Sequence, residues 1–172
     1  MKKLISISTL LLFLLACRQI PEKELPILGL WDLHLMEIKN SETGEWNEWR
    51  QGMGGYLLYE KSGYMSLHLT PKAYAETDLK FKNFTDTMPL PQLKYISQNY
   101  NYTGSYTVDL DSSIVSHTKL SHSNPNEWGE LSRRKFSFRG DTLIVVPTEE
   151  ENASLRLKFL KMPIQTTVEN YK

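Results

Sequence analysis

The sequence predicts an all-β fold, an eight-stranded antiparallel up-and-down barrel with one short helix before the middle strands. Three observations lead there. Apolar and polar residues alternate with period two over a series of short runs. Most gaps between runs hold Gly, Ser and Asp at hairpin length. A meander of half-apolar strands buries its inner face most simply by closing on itself. A two-sheet sandwich is the competitor, but its crossings need longer connections than these turns provide.

The first run alternates Trp31, Leu33 and Leu35 with Asp32, His34 and Met36. Gly55 to Tyr59 and Tyr64 to Leu69 flank Glu60-Lys61-Ser62-Gly63, a hairpin in which Gly63 supplies positive φ. Met65, Leu67 and Leu69 share one face of its second strand. Tyr102 to Asp109 and Ile114 to Leu120 form a second hairpin around Asp111-Ser112-Ser113. Ser132, Arg134, Phe136 and Phe138 oppose Arg133, Lys135 and Arg139, and Gly140-Asp141 turns into Leu143 to Val146. Glu149-Glu150-Glu151-Asn152 reads as a solvated loop before the last strand, where Leu155, Leu157 and Phe159 alternate with Arg156 and Lys158. One connection breaks the pattern. Thr70 to Asn101 carries Pro71, Pro89 and Pro91, then Leu93, Ile96 and Tyr100 at helical spacing. We expect a loop followed by a short amphipathic helix over Gln92 to Tyr100, either plugging one end of the barrel or capping its core.

The N-terminus does not belong to this pattern. Met1-Lys2-Lys3 precedes an apolar stretch from Leu4 to Ala16, too short for the roughly 20 residues a membrane-crossing helix needs and suited to a signal peptide. The expected organisation is a signal over 1–16, Cys17 and a polar tether over 17–27, the barrel over 28–163, and a tail over 164–172. Leu14-Leu15-Ala16-Cys17 resembles the lipobox of bacterial lipoproteins. That resemblance implies that Cys17 becomes the lipidated first residue and ties an exported domain to the cell envelope. With Arg18 in place of an aspartate, the outer membrane is the expected destination where two membranes exist.

Twenty Lys and Arg balance twenty Asp and Glu, so no basic face points to nucleic acid. One cysteine excludes an internal disulfide, and the four histidines show no metal-ligand spacing, so neither a metal nor a cofactor is expected. No nucleophile elbow or phosphate-binding glycine loop is present.

Several segments resemble the lipocalin-like domain family of bacterial proteins, small calycin-type barrels. They are Gly29-Leu30-Trp31, Gly55-Tyr56-Leu57-Leu58-Tyr59, Gly63-Tyr64-Met65-Ser66, Gly104-Ser105-Tyr106 with Val108-Asp109, Trp128-Gly129, Arg134-Lys135-Phe136 and Gly140-Asp141. Trp46-Asn47-Glu48-Trp49 and the stretch from Lys72 to Pro89 are particular to this chain. The family order implies that Tyr106, His117 and Arg134 come from neighbouring strands, and alternation puts Arg134 on the side of Phe136. An interior arginine needs a protein acceptor or an anionic ligand. The expectation is therefore a small apolar or amphipathic ligand with a carboxylate or carbonyl, held by Tyr106, His117 and Arg134, with Trp31, Trp128 and Met65 as further contacts. A bracing network without a ligand is the alternative. A cyclase or isomerase using His117 or Tyr106 as acid or base is a second class of function. A third is an interaction module with a filled barrel, presenting the aromatic group Trp46, Trp49, Tyr56, Tyr59 and Tyr64.

Overall fold

The computed structural model describes residues 25–49, 53–78, 87–150 and 154–163. The expected signal peptide, Cys17, most of the tether and the tail lie outside the described residues. The strands are β1 (Gly29–Lys39), β2 (Trp46–Glu48), β3 (Met53–Tyr59), β4 (Tyr64–Pro71), β5 (Tyr100–Asp109), β6 (Ile114–His122), β7 (Leu131–Arg139), β8 (Thr142–Pro147) and β9 (Leu155–Lys161). β1 and β3 to β9 form an antiparallel meander, and β1 pairs β9 from Trp31↔Lys161 to Ile38↔Leu155, which closes the ring. This is the eight-stranded barrel that the alternation predicts. The three-residue β2 lies outside the ring, against the end of β1. It falls in the Trp46 to Trp49 stretch, too short to show a period.

Turn chemistry sets the hairpins. Gly63 takes φ 85° and donates its N–H to the Glu60 carbonyl at 3.0 Å. In the next hairpin the Asp109 carboxylate accepts from the N–H groups of Asp111 and Ser112, an Asx turn that leaves Ser113 at φ 55°. Two bulges change the inward parity. One lies between Leu33 and Leu35, so Leu33 and Met36 both face inward. The other faces Thr103 and Gly104 and leaves Leu120 outside, so that both Lys119 and His122 are buried. Gly104 is required there, because a Cβ would lie 2.2 Å from the Thr118 carbonyl oxygen.

The helix, α1, spans Leu90–Ile96 and stops short of Tyr100. Pro91 suits its first turn, where N–H groups have no intrahelical acceptor. Tyr100 is instead the first residue of β5, in register with Leu69. The apolar stripe of α1 does not enter the barrel, since none of its residues is buried and Leu90 and Leu93 are exposed. α1 leans on the 3-10 turn Tyr74–Glu76 through stacked Tyr74 and Tyr95 rings and a hydrogen bond from Tyr95 Oη to the Lys72 carbonyl.

The core fills one end of the barrel. Trp31, Tyr59, Met65, Tyr106, Leu143 and Phe159 are all buried there. Ile27, at the end of the expected tether, is fully buried and its carbonyl accepts from Trp31 Nε1 at 2.8 Å. The packed unit thus includes residues just before β1.

Candidate functional site

The opposite end is hollow. A cavity of about 520 Å³ is bordered by the last residues of β1, β4, β6 and β8 and the first residues of β3, β5, β7 and β9. That volume falls in the ordinary range for small-molecule sites, about 300–1,000 Å³. Its two sides differ chemically. Met36, Leu67, Leu69 and Leu157 make an apolar wall from β1, β4 and β9. Lys119, Ser132 and Arg134 make a polar wall from β6 and β7, joined by Glu127, Glu130 and Glu149 from the adjoining loops.

Both cations on the polar wall already have carboxylate partners. Lys119 Nζ is 2.5 Å from Glu127 Oε2 and 3.8 Å from Glu130 Oε2. Arg134 Nη1 donates to Glu149 Oε2 at 2.7 Å and to the Arg133 carbonyl at 2.9 Å. Glu127 also accepts from Tyr100 Oη at 2.9 Å and lies 3.3 Å from His122 Nε2. Burial alone would raise the Glu127 carboxyl, but the hydrogen bonds and charge around it outweigh that and hold it below the ordinary range. Glu149 is lowered by the same balance, with N–H donors and Arg134 overcoming its burial. Among the described residues, three carboxylates and two cations leave the mouth with one excess negative charge.

Below the cavity lies a neutral relay. Tyr59 Oη is 2.8 Å from His117 Nε2, and Tyr102 Oη is 2.7 Å from His117 Nδ1. Burial, aided by the Arg134 and Lys119 charges, holds His117 down to about 3, so the imidazole is neutral at physiological pH. Burial likewise raises both tyrosine hydroxyls above their ordinary value. Tyr102 borders the cavity, and Tyr59 and His117 do not.

The expected ligand contacts separate on this geometry. Arg134 borders the cavity. Tyr106, His117, Trp31 and Met65 are buried away from it, and Trp128 is 61% exposed outside it. Tyr106 donates to the Glu60 carbonyl at 2.8 Å, which pins the turn between β3 and β4. As a candidate acid or base, His117 has both ring nitrogens engaged by tyrosines and reaches no cavity. The aromatic group is dispersed: Trp49 borders the cavity, Tyr59 is core, Tyr56 and Tyr64 are exposed, and Trp46 lies against Arg156. Lys119 was missed from the sequence, although it shares the inward parity of Val115 and His117 and that signal points to it. Glu149 was not. Read from sequence as part of a solvated loop, it is the partner of Arg134. Among the described residues, no three His, Cys, Asp or Glu side chains gather as a metal site would need.

A closed up-and-down β-barrel, packed at one end and hollow at the other, defines a protein of lipocalin-like architecture. The model of the lipocalin-like domain family matches residues 28–161, and the chain belongs to that family. No curated protein matches the sequence. Among solved structures, a mutant of the fluorescent protein UnaG matches at 11% identity over 81% of this chain and 97% of that one, with a TM-score of 0.35.

Proposed function

We propose that this protein binds one small amphipathic molecule in the mouth-end cavity without turning it over, while Cys17 anchors it to the cell envelope through lipid. The observation that carries the binding reading is the division of the barrel into a packed end and a hollow end of about 520 Å³. An apolar tail lies against Met36, Leu67 and Leu157, and a polar end meets the β6 and β7 wall. The non-catalytic reading is supported by the burial of His117 between two tyrosines. The anchor rests on the lipobox-like Leu14-Leu15-Ala16-Cys17.

Native mass spectrometry of the purified protein should show a co-purifying apolar species. Leu157→Trp, which places an indole in the cavity, should eject it with the fold intact by circular dichroism. Retention of the same species by Leu157→Trp would overturn the cavity as its site. For the anchor, Cys17→Ser should move the protein from the membrane to the soluble fraction, and an unchanged distribution would reject it.

A further inference from the structure

The Tyr59, His117 and Tyr102 relay can be solved by counting protons. A neutral imidazole has one N–H and one bare nitrogen. With a tyrosine at each nitrogen, one tyrosine donates to the bare nitrogen and the other accepts from the N–H. The accepting tyrosine keeps its own proton for a further partner.

The surroundings decide which tyrosine that is. Tyr59 is 1% exposed, does not border the cavity, and makes its hydrogen bond to His117 inside the packed core. Were Tyr59 the acceptor, its O–H would be buried without an acceptor, a costly arrangement in a packed interior. Tyr102 borders the cavity. The order that leaves no buried proton orphaned is Tyr59 O–H to Nε2, then Nδ1–H to Tyr102 Oη, with the Tyr102 O–H turned to the cavity.

We infer that Tyr102 presents its O–H to the cavity as the specificity-determining donor, and that the ligand is an uncharged amphiphile whose carbonyl oxygen accepts it. This rests on the reading of the cavity as a ligand site. The charge of the mouth selects the class. Lys119 and Arg134 are each paired with a protein carboxylate, and Glu130 adds a third. Among the described residues of this wall, a ligand carboxylate meets net negative charge and cations that are already paired, whereas a ketone, ester or amide oxygen carries no such cost and fits a neutral donor. Ser132, buried on the polar wall, adds a second hydroxyl to the cavity lining.

The tautomer and the ligand preference are tested separately. In protein labelled with 15N-imidazole histidine, the His117 signal, assigned by its loss in His117→Gln, should show Nδ1 protonated and Nε2 bare at pH 7. The reverse tautomer overturns the inference whatever binds. Binding is then compared for 2-decanone, decanoate and decane. The ketone should bind about tenfold more tightly than decane and than decanoate, the order of effect of one neutral hydrogen bond. Its infrared carbonyl band should move to lower wavenumber on binding. In Tyr102→Phe both the ketone's advantage and the band shift should vanish while decane binding persists. A preference for decanoate, or an unmoved band in the wild-type protein, overturns the inference. Failure of all three probes to bind overturns the cavity reading, and with it the ligand class.

Discussion

Arg134 Nη1 lies 2.7 Å from Glu149 Oε2, across the gap between the start of β7 and the loop after β8. Among the described residues, the arginine that borders the cavity is therefore neutralised by the chain itself. Glu149 is further held by the Arg133 N–H at 3.0 Å, so the pair is fixed at both ends. A carboxylate ligand would have to displace a partner that is already in place.

Removing that partner's charge should change what the cavity accepts. Glu149→Gln leaves an oxygen for the Arg133 N–H but frees the guanidinium, and the excess negative charge of the mouth disappears. Decanoate affinity, measured by displacement of a fluorescent probe, should rise about tenfold, near the worth of one charge-assisted hydrogen bond. 2-Decanone affinity should hardly change. An unchanged decanoate affinity would show that Arg134 does not govern the charge preference.

Acid should weaken the fold through His117. Its value near 3 lies below the ordinary 6.5, so on acidification the unfolded chain takes up the proton first. The stabilisation is complete above about pH 6.5 and is lost progressively toward about pH 3, at ~1.4 kcal/mol per pH unit while only the unfolded state is protonated. His122, also lowered chiefly by burial, acts with the same sign. The lowered carboxyls of Glu37, Glu127 and Glu149 add to the loss only at more acidic pH. Urea unfolding at pH 7 and pH 5 should show the wild-type protein losing roughly 2 kcal/mol more than His117→Gln. Equal losses would mean that the imidazole is not held neutral.

The seam between β1 and β9 depends on Glu37. Its carboxylate accepts from Arg156 Nε and, at 3.1 Å, from Arg156 Nη2, and it lies 2.9 Å from Lys158 Nζ. The Arg156 guanidinium in turn lies 4.1 Å from the centre of the Trp46 ring on β2. Glu37→Gln leaves two cations without their shared anion and should cost about 2 kcal/mol in urea unfolding. Glu48→Gln, an exposed position in register with Glu37, is the control and should cost almost nothing.

Gly104 should tolerate no side chain. A Cβ placed 2.2 Å from the Thr118 oxygen would force β5 and β6 apart at the bulge that brings His122 inward. Gly104→Ala should lower stability by about 3 kcal/mol. Gly54→Ala, where nothing lies within 4 Å of the added atom, should have little effect.

Period-two alternation and turn composition were enough to give the ring of strands, because both are local: each inward residue and each turn residue is chosen by its immediate neighbours. Met65, Leu67 and Leu69 on β4 and the Asp109 turn were legible on those grounds. The inward parity of Arg134 was legible too. Its partner was not, because Glu149 is fifteen residues away and resembles any other acid in an acidic loop. The end of α1 was misplaced because Tyr100 continues a helical spacing, yet its pairing with Leu69 claims it for β5. Alternation also fails at a bulge, which is why His122 could not be placed inside.

The sequence by itself determined a closed meander of eight strands, the family to which the chain belongs and the inward side of a strand wherever no bulge intervenes. Only the tertiary structure decided which inward side chains meet one another and which border open space. Tyr59 and Tyr102 are both inward tyrosines in a one-letter string. Packing around the ring puts one in the solid core and the other at the edge of a cavity, and that difference sets the direction in which a shared histidine passes its hydrogen bonds.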